Sequence, residues 1–214
     1  MSDENRKVIF EGLCRLQERV PYSKITISQI CEEASVSRKM FYSHFENKNA
    51  IMTWHFDDIL SKTLALIGRE KTWLEGETEF CKMWMENRPL ILDSFQDDSY
   101  DAVSAHSYHT SRDAYLKTVE EELKITPDIK LKFQINAITL LHSSLTYQWL
   151  QFEERETPEE FCLLLQTTIP EDLRELFDEH VLMKRERQDQ GDDRLDELFG
   201  KHGMYRSNIR HPWH

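Results

Sequence analysis

The sequence predicts an all-α protein, with an N-terminal three-helix helix-turn-helix unit joined by a long helix to a larger helical part. Three observations predict it. Apolar residues recur at intervals of three and four through most of the 214 residues, the spacing of one helix face. No convincing stretch has the two-residue alternation of a half-buried strand. Glycine and proline are sparse, six of each, and Pro21, Pro127, Pro158 and Pro170 fall where one periodic segment gives way to the next.

The elements follow in order. Ile9, Leu13, Leu16 and Val20 make one stripe over 3–20, which Pro21 ends. Thr26 is a suitable N-cap for a helix over 27–34 carrying Ile27, Ile30, Cys31 and Ala34. Ser35 and Val36 form a tight connection, and Ser37 caps a third helix reaching about residue 44. Two short helices joined this way make a helix-turn-helix, assigned to 1–47. Asn47 caps a fourth helix expected over 48–69, with Ile51, Phe56, Ile59, Leu60 and Leu64 apolar. Further helices are expected over 76–97, 100–123, 128–153, 157–168 and 171–188, with a break at Gly76, so a second helical domain spans 48–190. The segment 191–214, with three glycines, is expected to be a largely flexible tail with at most one short helix near 193–199.

Charge places any nucleic-acid contact. The chain carries a net −12, but residues 1–50 hold eight Lys and Arg against seven Asp and Glu, a net +1, and the rest holds −13. DNA would be repelled by everything except the N-terminal unit.

Other classes find less support. Cys14, Cys31, Cys81 and Cys162 form no C-x-x-C pair and read as buried thiols. No apolar run reaches the roughly 18–20 residues of a membrane span, and "MSDENRK" lacks a signal-peptide core, so a cytoplasmic protein off the membrane is expected. His106, His109 and Asp113 have chelating spacing but complete no recognised metal motif. Neither H-E-x-x-H, G-x-S-x-G nor G-x-G-x-x-G occurs, and Glu153, Glu154 and Glu156 read as a solvated helix end. No enzyme, cofactor or metal is expected.

The densest chemistry lies in "ASVSRKMFYSHFENK", residues 34–48. At 100° per residue Phe41 and Phe45 fall on one side of the third helix, and Arg38, Lys39, Tyr42 and Ser43 on the other. The phenylalanines lock the helix inward. The outward set has what a major groove requires: cationic donors for guanine O6 and N7 and a phenol for a phosphate oxygen. Lys48 adds a cation where the fourth helix offers backbone N–H groups to an anion.

From Thr26 to Ile51 the order "TISQICEEASVSRKMFYSHFENKNAI" resembles the DNA-binding segment of the tetracycline-repressor (TetR) family of bacterial transcription regulators. Thr26, Ile27, Ile30, Ala34, Val36, Ser37, Phe41, Tyr42, His44, Phe45 and Lys48 fit that family's pattern in register. The resemblance implies phosphate contacts for Thr26, Tyr42, His44 and Lys48, and positions near bases for Ser37, Arg38, Lys39 and Ser43. On the helical wheel His44 lies at the flank and reads equally as a core histidine. Ser35 stands where the family has a turn glycine, so a positive φ there would be strained. Lys39 and Met40 replace residues that are often small.

The resemblance also implies a homodimer that binds a (pseudo)palindromic operator and a small-molecule effector in the remaining helices. Phe133, Ile135, Ile138, Leu141, Leu145 and Trp149, followed by the segment that Thr157 caps, form the expected dimer interface within 128–168; the same stripe also fits packing inside one subunit. Region 95–115 is rich in Tyr and His and departs from apolar periodicity. Phe95 and Tyr108 within it, with Trp84, Phe133, His142 and Tyr147, are expected to line an effector pocket. The competing reading is a regulator fold that answers to a protein partner instead of a small ligand.

Overall fold

The computed structural model describes residues 2–94, 100–153 and 155–199, and no strand forms among them. Helix α1 is Ser2–Gln17, α2 is Ile27–Glu33, α3 is Arg38–Tyr42 and α4 is Lys48–Lys62. They are followed by α5 (Trp73–Glu86), α6 (Arg88–Ser94), α7 (Tyr100–Lys117, continued by a π-helical turn Thr118–Glu122), α8 (Ile129–Gln151), α9 (Pro158–Gln166) and α10 (Glu171–Phe199).

Side-chain caps start these helices where the sequence places them. Thr26 and Gln29 form a reciprocal capping box, Ser37 accepts from the Met40 N–H and Asn47 from the Ala50 N–H. Thr157 and Glu160 repeat the box at α9. Each satisfies backbone donors that a helix start leaves without partners, and is worth about 1 kcal/mol. Phe41 and Phe45 are buried together with Ile9, Leu13, Leu16 and Ile30, which fixes α3 on α1 and α2.

The body differs from expectation in three places. Helix α4 ends at Lys62 and not near 69, because the buried Thr63 turns its hydroxyl back to the Ile59 carbonyl (2.7 Å) and Gly68, at φ +75°, closes the following turn. Gly76 does not break a helix but sits inside α5: a Cβ there would lie 2.4 Å from Ile67 Cγ1, so its bareness lets α5 meet that turn. The segment 100–117 is regular helix, as the expected span 100–123 has it; its inward row is Val103, Ser107, Ser111 and Tyr115, with serine hydroxyls at the two middle positions. Finally, α10 runs unbroken through 191–199. A glycine inside a helix costs only about 1 kcal/mol, too little for Gly191 to stop it. Residues 200–214 lie outside the described residues.

Helix α5 is clasped from both sides. It packs on α9, while α10 crosses it with Arg185 gripping the Glu75 carboxylate through two N–H groups (2.9 and 2.8 Å) and Asp178 accepting the Trp73 backbone N–H (2.8 Å). Helix α7 fills the space between α4 and α8, and His106 bridges to Asp57 on α4 (2.8 Å), which engages one of the two histidines considered as metal ligands.

Candidate nucleic-acid interface and the cavity behind it

The outer face of α3 carries Arg38, Lys39, Tyr42 and Ser43 exposed, with Ser37 at its N-cap and Thr26 exposed at the start of α2. Arg38 donates to Ser28 Oγ (3.3 Å) and lies 6.0 Å from the centre of the Tyr42 ring, so neighbours hold the guanidinium without burying it. Ser28, which the sequence reading passed over, is the α2 residue that orients it. Glu33, at the end of α2, is already neutralised: Arg15 and Arg19 both bind it and hold its carboxyl below the usual range.

Two expected phosphate ligands have internal partners. His44 is half-buried with Nε2 3.3 Å from the Asn5 amide. Lys48 donates to the Tyr22 carbonyl (2.5 Å) and sits 4.0 Å above that ring. The same Tyr22 donates its backbone N–H to Asp93 on α6 (2.6 Å), so the turn before α2 is clamped to the body.

Behind the head, α4, α5, α7, α8 and α9 enclose a cavity of ≈ 70 Å³. That is small beside the roughly 300–1,000 Å³ of ligand sites, so a sizeable guest needs its walls to move. Of the residues expected at an effector site, Trp84, His142 and Tyr147 line it and two others do not. Tyr108 donates its hydroxyl to Asn136 Oδ1 (3.2 Å) across α7 and α8, and Phe133 is 72% exposed because it lies on the outer face of α8. Phe95 lies outside the described residues.

The cavity's polar centre was not anticipated. Glu77, only 4% exposed, shares a very short hydrogen bond with His142 Nδ1 and accepts a longer one from Gln166 (3.3 Å). His142 Nε2 donates to Thr168 Oγ1 (2.9 Å), whose own hydrogen goes to the Leu165 carbonyl (2.7 Å). On α5, Trp73, Glu77, Phe80 and Trp84 fall at i, i+4, i+7 and i+11 and all line the cavity. A glutamate inside an otherwise aromatic stripe is the sequence signal that was available. The indole N–H of Trp73, wholly buried, finds no acceptor among the described residues.

Residues 9–53 match the family described as bacterial regulatory proteins, tetR family, and residues 71–171 match a transcriptional regulator C-terminal region. The chain belongs to the TetR family of transcriptional regulators. Its helix-turn-helix is that family's DNA-binding domain. No curated protein sequence matches the chain. Among solved structures, the dihydroxyacetone kinase operon activator DhaS shares 17% identity at TM-score 0.57, covering 77% of this chain and 96% of its own. A TetR regulator from Streptococcus agalactiae shares 22% at TM-score 0.52, covering 78% and 94%. The Thermus thermophilus repressor FadR, solved with lauroyl-CoA, shares 17% at TM-score 0.50, covering 77% and 92%. At these identities the likeness is one of fold.

Outside its core, this TetR chain exposes an apolar row on α8. Phe133, Ala137, Leu140 and Leu141 face solvent there, and Leu163 and Leu164 on α9 are more than half exposed. The stacked rings of Trp149 and Phe161, 4.7 Å apart, join the two helices. The stripe read from sequence had merged two faces: Ile135, Ile138 and Trp149 point into the subunit and Leu145 packs against its core. No helix among the described residues is long and apolar enough to cross a membrane.

Proposed function

We propose that this chain is a homodimeric regulator that binds double-stranded DNA at a two-fold-related operator and alters its affinity when a small molecule enters the cavity. The observation that carries DNA binding is the outer face of α3, where Arg38, Lys39, Tyr42 and Ser43 stand exposed on the one part of an acidic chain that is not acidic. In this reading Ser37, Arg38, Lys39 and Ser43 meet base edges, while Thr26, Tyr42, His44 and Lys48 meet or position phosphates.

The exposed row on α8 and α9 supports a second copy of the chain as its cover. Pairing there would set two α3 helices for adjacent major grooves, about 34–36 Å apart. Coupling has a material route. Phe56 and Trp84 line the cavity; Phe56 is the neighbour of His55 on α4, and His55 stacks on Phe10 of α1 (4.0 Å) and lies nearly parallel to Trp84 (6.2 Å). A guest that moves either wall therefore loads the head. An effector works only through a difference in affinity between two arrangements of the heads.

Footprinting on the DNA adjoining the chain's own coding region tests this. The expected result is a protected pair of half-sites one helical turn apart. Equal binding to any sequence, or none, overturns it.

A further inference from the structure

Taking the cavity as the effector site of the reading above, we propose that it selects a cationic amine with an apolar body, whose N–H group is received by Glu77, and that it rejects carboxylates and phosphates.

Among the described residues no lysine or arginine lines the cavity; its charged candidates are Glu77 and His142. An anion finds no donor on His142, because Nδ1 serves Glu77 and Nε2 serves Thr168. Glu77, in contrast, keeps capacity: a carboxylate offers about four lone-pair directions, and His142 and Gln166 occupy two. Around it stand the rings of Phe56, Trp73, Phe80, Trp84, Tyr115 and Tyr147, whose π faces attract a cation.

The other ionisable groups near Glu77 do not compete with it for a cation. Tyr115, pushed up by burial, and Cys81, pushed up by its contact with Cys162 and by burial, stay protonated. Asp178, on α10, keeps the Trp73 backbone N–H.

The test titrates the full-length protein at neutral pH with benzylamine hydrochloride, benzyl alcohol and sodium benzoate, by calorimetry. Benzylammonium should bind about tenfold or more tighter than the alcohol, as a charge-assisted hydrogen bond provides; benzoate should give no saturable heat. Glu77→Gln should bring benzylammonium down to the level of the alcohol. If that variant misfolds, the ranking of the three compounds on the unaltered protein still decides. Benzoate binding best, benzylammonium binding no tighter than the alcohol, or three silent titrations each overturn the proposal. Operator affinity measured on the same samples separates the two readings. Cation-selective binding that leaves it unchanged removes the effector role and keeps the selectivity, whereas benzoate that binds and shifts it does the reverse.

Discussion

The head and the body of this chain are built on different scales. In the head, the residues offered to DNA lie within 26–48, on and around two short helices and at the first residue of α4. In the body, one small cavity draws its wall from α4, α5, α7, α8 and α9, with Phe56, Trp73, Ser111, His142 and Leu165 each from a different helix. A protruding surface can be written in consecutive residues, because one helix presents it. A cavity is a place that several helices decline to fill, and here serines and threonines at inward positions do the declining.

The contrast breaks most completely at the proposed interface, the one part of the body that acts as a surface. Replacing Leu164, 56% exposed, with Glu puts a carboxylate into an apolar seam without harming the subunit's own core. Sedimentation should show monomers, and operator affinity should fall about 100-fold or more, the usual loss when two linked contacts become one. A dimer that persists would assign this face another role.

The junction between the two regions should report itself through pH. Burial holds His55 down to about 4 from its usual 6.5. An unfolded chain therefore takes up a proton that the folded one refuses, so the neutral histidine's advantage is intact above about pH 6.5 and is lost as pH falls toward 4. At 1.36 kcal/mol per unit the loss is about 3 kcal/mol. Glu75, held down to about 2 by Arg185, loses its contribution in a lower window, from its usual 4.5 downward. Urea unfolding across this range should show both slopes, and His55→Phe should remove the upper one alone.

Within the head, Arg38→Ala should cost about 1–3 kcal/mol on the operator and little on random DNA, measured by titration at fixed salt. Equal losses on both would make Arg38 a phosphate contact. That outcome would blur the division between the side chains taken to read bases and those taken to hold phosphates.

How much was legible follows the same scale. Thr26, Ser37, Asn47 and Thr157 were readable as caps because a cap needs only its own side chain and an N–H three residues on. The end of α4 was missed although Gly68 marked it, since the apolar period runs on through Leu64. Ile135 and Phe133, two residues apart on α8, face core and solvent, and no single-helix pattern says which face a partner covers. Glu77 was passed over because its partners His142 and Gln166 lie 65 and 89 residues away.

The smallest expected effect lies in the turn that makes the head. Ser35 has φ +54°, the left-handed region, where a Cβ crowds the following carbonyl at a cost of roughly 1 kcal/mol or more. The turn tolerates this because Val36 N–H closes back on the Cys31 carbonyl (2.9 Å) and Ser35 N–H on that of Glu32 (3.1 Å), which fix the conformation whatever side chain sits there. Ser35→Gly should therefore relieve the strain and raise stability by about 1 kcal/mol, offset in part by the greater freedom glycine gives the unfolded chain. Thermal unfolding measures the gain, and DNA affinity should not change, because the N-cap of Ser37 holds α3 independently. A loss of affinity with a gain in stability would mean that the serine hydroxyl itself touches DNA, extending the reading surface into the turn.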